Sequence, residues 1–237
     1  KDGQLIGMIY NTQEQVYAWF RVVTDGLFES VACISQPDAE DQVWVVVNRS
    51  IGGATVRYIE YFMPHNFYST ISDSFFVHSG ITYDGVSSGA VTGLSHLEAK
   101  SVKALVDGIY QGPYTVSGGV ITLSFSGSMV HVGLGFDSIV EPMKLNTGSQ
   151  QGTARGKKQK ISKVTCCFYE TGNGVQVGSD SSNVLDVQDL IEGALNTMDV
   201  QFEFPGDWKE ETKLYIKQSD PVPMTIRALV PHVILNE

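Results

Sequence analysis

The side chains most capable of chemistry in this sequence are basic and close together: Arg155, Lys157, Lys158, Lys160 and Lys163. Such a cluster can hold nucleic acid or another polyanion. No aromatic residue is interleaved with it, which weakens the case for single-strand binding. The plainer expectation is a solvated loop, or the basic half of a contact between protein subunits. The five histidines, His65, His78, His96, His131 and His232, form neither HxH nor HExxH, so no metal site is expected. Ser95, His96 and Glu98 juxtapose hydroxyl, imidazole and carboxylate, but no nucleophile elbow accompanies them. His96 is expected to satisfy a turn or a strand edge. Asp73, Asp84, Asp107 and Asp137 read as loop and turn residues, without the clustered oxygens that calcium requires. Two glycosidase carboxylates need not be neighbours in sequence, so a cell-wall glycan hydrolase stays as a minor alternative. The expectation is therefore no enzyme, with no catalytic, cofactor-binding or metal-ligating set.

Cys33, Cys166 and Cys167 are the three cysteines. Adjacent residues of a strand point to opposite faces, so Cys166 and Cys167 do not pair with each other. All three are expected to be buried thiols made in a reducing cytosol. The formal net charge of −10 disfavours ordinary phosphate-backbone binding. No apolar run has the length of a membrane span, and no signal peptide is visible.

These residues need a scaffold, and the composition points to strands. Glycine is abundant at 24 residues, and Val, Thr, Ser, Tyr and Phe recur in short runs between turn residues. Residues 1–64 read as an antiparallel meander of five strands, blade-like or part of a sandwich: 5–10, 16–23, 28–34, 41–49 and 56–62. The continuous run Val43–Val47 predicts a strand buried on both faces, with Trp19 and Trp44 as core anchors. Residues 65–147 read as an inserted small β-barrel-like module. It opens with the polar stretch 65–74 and short strands at 75–77 and 81–83. A Gly/Ser loop follows over 85–89. Then come strands at 101–106, 114–116, 120–123 and 129–134, turned by Asp107-Gly108 and Gly118-Gly119. Residues 146–156 read as a mobile loop. Residues 148–237 return to strands that complete the scaffold: 161–169, 175–177 (expected to pair with 161–169), 201–204, 214–218 and 224–230. Residues 184–198 fit either a short helix or an irregular crossing.

Several runs, in order, resemble one family. QVYAWFRVVTDGLFESVACI and DQVWVVVNRSIGGATVRYIEYF come first, then GLSHLEAKSVKALVDG, YTVSGGVITL, VHVGLGF and ISKVTCCFYETGNGVQVG. They are similar to the tail tube nozzle, or tail tubular, proteins of short-tailed bacteriophages. The resemblance spans most of residues 5–230. It implies a C-terminal or excised portion of a virion structural protein whose family carries a β-propeller upstream. It further implies a ring of identical subunits, typically six, around the channel through which double-stranded DNA leaves the capsid. Other tail proteins, adaptor and fibres, would be neighbours, and the chain would be made in the host cytoplasm and carried in the virion. The family has no catalytic residues to transfer, and the basic segment 155–163 and Cys166-Cys167 have no assigned family role. The rival expectation is a receptor- or glycan-binding module, or a dock for tail fibres.

Overall fold

A computed structural model describes residues 2–37, 39–64, 70–145, 148–149, 152–153 and 156–236. The described chain is mainly β, built of antiparallel sheets. It forms two compact units. The first comprises residues 1–66, 77–106 and 111–136; the second comprises 67–76, 107–110 and 137–237.

In the first unit, β1 (Leu5–Asn11) and β2 (Val16–Val22) pair as an isolated hairpin. Its turn is held by Asn11, whose Oδ1 accepts from the Gln13 and Glu14 amides at 3.0 and 3.1 Å. β3 (Leu27–Ile34), β4 (Gln42–Ile51) and β5 (Ala54–Tyr61) make a separate three-stranded sheet with β4 central. The expected five-strand meander is thus divided into two plus three. β4 is not buried on both faces: Val45, Val47, Arg49 and Ile51 are buried, while Trp44, Val46 and Asn48 between them are only partly covered. A strand alternates its side chains, so an all-apolar run does not by itself supply cover for both sides.

The middle strands are longer than their sequence runs suggest. β6 (His78–Val91) absorbs the expected loop 85–89, with its register to its partner strand over 121–134 slipping between Asp84 and Ala90. Asp84 accordingly lies in a strand rather than a loop. β7 (Ser101–Val106) and β8 (Ile109–Thr115) flank the turn at Asp107 and Gly108, both at positive φ. β9 (Ile121–Leu134) joins the two strands expected at 120–123 and 129–134. The order β6-β9-β7-β8 leaves β6 and β8 unpaired to each other, so the barrel-like module is an open sheet. Its apolar residues, among them Val102, Ala104, Val130 and Val132, share a core with Ile51, Val56 and Tyr58 of the three-stranded sheet.

The second unit is a sandwich. β10 (Ser138–Val140), β14 (Val175–Asp180), β15 (Asn183–Asp186) and β17 (Tyr215–Gln218) form one sheet in the order β10-β17-β14-β15. β13 (Gln159–Phe168), β16 (Asp199–Glu203) and β18 (Ile226–Leu235) form the other in the order β16-β13-β18. β11 (Gly148–Ser149) and β12 (Gly152–Thr153) pair by themselves within the stretch expected to be a loop. The inner faces meet through Ile161, Val164, Phe168, Val175, Val177, Val200 and Ile216. β14 therefore does not pair with β13, as its proximity in sequence suggested. The connection at 169–174 carries the chain from one sheet to the other, because Val175 and Val177 are needed on the opposing inner face. Residues 187–198 contain no helix. Leu185, Leu190 and Leu195 recur every five positions and gather on no single helical face, while Asn196 orders the segment. Its amide nitrogen donates to the carbonyls of Thr171, Ile191 and Ala194, each at 3.0 Å.

Candidate interaction surface

The groups that looked most chemical in sequence are engaged in holding turns. Glu98 accepts the Gly118 and Gly119 amides through its two carboxylate oxygens at 2.9 and 2.8 Å. His96 donates from Nε2 to the Ser79 carbonyl at 2.8 Å, and its own carbonyl accepts from the Tyr58 hydroxyl. Asp137 pairs with Lys217 at 2.9 Å. Among the described residues no cluster of three or more His, Cys, Asp or Glu is arranged to hold a metal ion, and no helix is long and apolar enough to cross a membrane.

The basic run falls at the start of β13. Arg155 lies outside the described residues. Lys158 is exposed, Lys157 is half-buried, and Lys160 and Lys163 sit on the strand itself. Lys163 is drawn into the outer polar face of its sheet, where its ammonium lies 3.1 Å from Glu203 on the adjacent strand. That pair lowers the positive field available to a polyanion. The cysteines divide three ways. Cys166 is buried, and burial pushes its thiol up to about 12. Cys167 faces outward, where hydrogen bonding to Asp199, burial and the Asp199 charge raise its thiol. Cys33 is exposed on β3, contrary to the expectation of burial, because β3 is an edge strand with little packed on either side.

Two buried polar groups in the first unit are structural. Arg49 is 1 % exposed. Its Nε and Nη2 donate to the two oxygens of Glu60 at 2.8 Å each, and Nη1 donates to the Thr24 hydroxyl and the Asp25 carbonyl. This bidentate arrangement matches the planar fork of a guanidinium. His78 stacks on Phe136 with ring centroids 4.4 Å apart, and its Nδ1 is buried without a hydrogen-bond partner. Burial first, then the Arg49 charge, push its imidazole down to about 4, with Glu60 opposing.

The dominant surface feature is apolar. In the β1–β2 hairpin, Met8 is paired with Trp19 and Tyr10 with Tyr17 on one face; Gly7 with Phe20 and Ile9 with Ala18 lie on the other. Trp19 is 71 % exposed and Ile6 is 62 % exposed, and Ile9 and Phe20 on the opposite face are about half exposed. Trp19 is therefore no core anchor. The hairpin has no covered side in which to bury it. Phe20 spends part of its area on its own hairpin, since a Cβ at Gly7 would meet its ring at 2.2 Å. The three-stranded sheet continues the pattern. Trp44 packs tilted against Tyr61, ring centroids 5.0 Å apart, on the face away from the core, its indole N–H donates to Gln42, and Ile59 beside it is 74 % exposed. Val31 and Ile34 are exposed on the edge strand β3. Exposed apolar side chains in this number mark a site of protein contact, and a two-stranded hairpin with two wet apolar faces is at best marginally stable by itself. The signal was present in LIGMIY and VYAWF, which are apolar at successive positions rather than alternate ones. Two strands cannot cover both of their own faces.

Comparison with known protein families finds no match to this chain, and comparison with curated proteins finds none either.

Proposed function

We propose that this chain is a structural component of a phage tail, a subunit of the nozzle that surrounds the DNA exit channel during genome ejection. The observation that carries the reading is the uncovered apolar surface of β1, β2 and β3. Its side chains become dry against further protein surface, which is what a subunit held in an assembly is supplied with. The ordered sequence resemblance gives that assembly its identity. On this reading identical subunits form a closed ring, whose interfaces are heterologous, with adaptor and fibre proteins as neighbours. The net charge of −10 suits a conduit from which DNA phosphates must be released. In this proposal the subunit carries two bodies, one in which the strands of 77–136 share their core with β4 and β5 and one formed mainly by 137–237. The basic residues 157–163 are assigned to contacts between proteins rather than to DNA. The test is imaging of tailed particles carrying this chain with a tag. Label in a ring at the tail's distal tube is expected; particles with no label in the tail reject the proposal.

A second reading, glycan binding, draws on Trp19, Tyr10 and Tyr17, which together form an exposed aromatic face on which a sugar ring can stack. A glycan array separates the two. Binding that is lost in Trp19→Ala supports the second reading, and an array without signal removes it.

A further inference from the structure

The sandwich is open along one side, and the opening has the features of a strand-accepting groove. β18 pairs only with β13, and β10 pairs only with β17, so each ends its sheet. The two free edges line a single cavity of about 330 Å³, walled by Val140, Met224, Ile226, Arg227, Ala228 and Leu229. Four consecutive β18 residues line it, so the cavity runs along the backbone edge rather than over one face. Among the described residues, no backbone hydrogen bond outside the β13 ladder reaches Ile226–Leu229. An exposed edge of this kind is a template for one more strand.

Two features narrow the occupant. First, the ladder skips from Cys167↔Ala228 to Phe168↔Ile226, leaving Arg227 as the extra residue of a β-bulge. Bulges re-aim a side chain and recur next to functional sites. Here Arg227 is exposed at the groove, its guanidinium carbon 6.0 Å from the centre of the Tyr169 ring. No carboxylate of the described residues forms an ion pair with it. Second, Pro231 lies on the same strand. Proline offers no ladder donor, which limits added pairing to the segment before it. The walls are otherwise aliphatic, from Val140, Met224, Ile226 and Leu229.

We propose that the β18 edge over Ile226–Leu229 docks an extended segment of a partner protein, about four to five residues long, in which aliphatic side chains alternate with carboxylates. The segment adds as a strand to β18, seats its aliphatic side chains against Val140 and Met224, and places a carboxylate on Arg227. This interaction is independent of the apolar surface on β1–β3 and of the ring assigned above.

The probe is a synthetic seven-residue peptide of alternating valine and glutamate, labelled with fluorescein, titrated into the 237-residue chain. Fluorescence anisotropy gives its affinity, and amide chemical shifts locate it. Shift changes are expected at 226–229 and 138–140. Methylating alternate peptide nitrogens, which keeps every side chain but removes strand donors, is expected to weaken binding at least tenfold. Arg227→Glu, an exposed substitution whose fold is checked by circular dichroism, is expected to weaken it to a similar degree. Absence of binding, shifts confined to other strands, or equal affinity for the methylated peptide overturns the proposal. The methylated peptide decides on the unmodified protein even if the variant misfolds.

Discussion

Arg49 on the central strand β4 and Glu60 on β5 show how one pair of side chains can tie a sheet to the loop at Thr24 and Asp25. Removing one partner strands a charge in a dry environment, so Glu60→Gln is expected to cost about 3–5 kcal/mol in urea denaturation. Arg49→Met with Glu60→Leu is expected to recover most of that loss, because neither variant residue is charged. His78 makes a second residue-scale prediction. Its imidazole titrates near 6.5 when unfolded and at about 4 when folded. Between those values only the unfolded chain takes up the proton. Stability is therefore undiminished above pH 6.5 and falls as pH drops towards 4, by about 3 kcal/mol at one kcal-scale step per pKa unit. The measurement is the difference between wild type and His78→Leu across pH 4–7, which removes the contribution of the carboxylates common to both. A flat difference refutes it. Gly178 is a third case. A Cβ there would lie 1.8 Å from the Asn183 carbonyl oxygen, in the backbone of the facing strand. Gly178→Ala is expected to lower stability by about 2 kcal/mol through overpacking, seen as a lower Tm.

At the scale of elements, the hairpin β1–β2 has neither face covered. Its amides are expected to exchange with solvent far faster than those of β7 or β13, which carry fully buried residues. Trp19→Ser is expected to leave the stability of the isolated chain within about 0.5 kcal/mol, as for an exposed side chain, and, if the proposed function holds, to reduce incorporation into tailed particles. A loss of several kcal/mol in the isolated chain would show that the hairpin is packed after all. The strands that were legible in sequence are those with conventional turn chemistry. Ser101–Val106 was found at its bounds because Asp107-Gly108 supplies two positive φ values in succession. β6 and β9 were broken in sequence by Gly85–Gly89 and by Ser124–Ser128, yet run through them. Long-range pairing between the two strands overrides weak local propensity there.

For the whole molecule, two separate cores predict two separable responses to truncation. Val132→Ala is expected to accelerate amide exchange in residues 77–106 and 111–136, and Val177→Ala in 137–237, each by creating a cavity in its own cluster. Exchange that rises equally in both units after either substitution would contradict this. Ile51, Val56 and Tyr58 pack in the same core as the strands of the middle module. Excision of 65–147 therefore uncovers them, and the remaining chain is expected to lose protection in β4 and β5.

The β class, most strand positions and the opposite facing of Cys166 and Cys167 were legible in the sequence, whereas the absence of a helix over 187–198 was not. The legible features follow from period, turn residues and backbone geometry, which are local. The sequence also showed that β1 and β2 are apolar on both faces, but not that they would be left uncovered. Whether Val43–Val47 is covered once or twice, whether Trp19 is inside or outside, and which sheet receives Val175 depend on what packs opposite. That is decided by residues distant in sequence. The same holds for Glu98, whose neighbours Ser95 and His96 suggested catalysis until the fold brought Gly118 and Gly119 to its carboxylate. The groove at β18 is the extreme case. It consists of two strand ends 86 positions apart, counted from Val140 to Ile226, and a bulge, and only the tertiary structure brings them together.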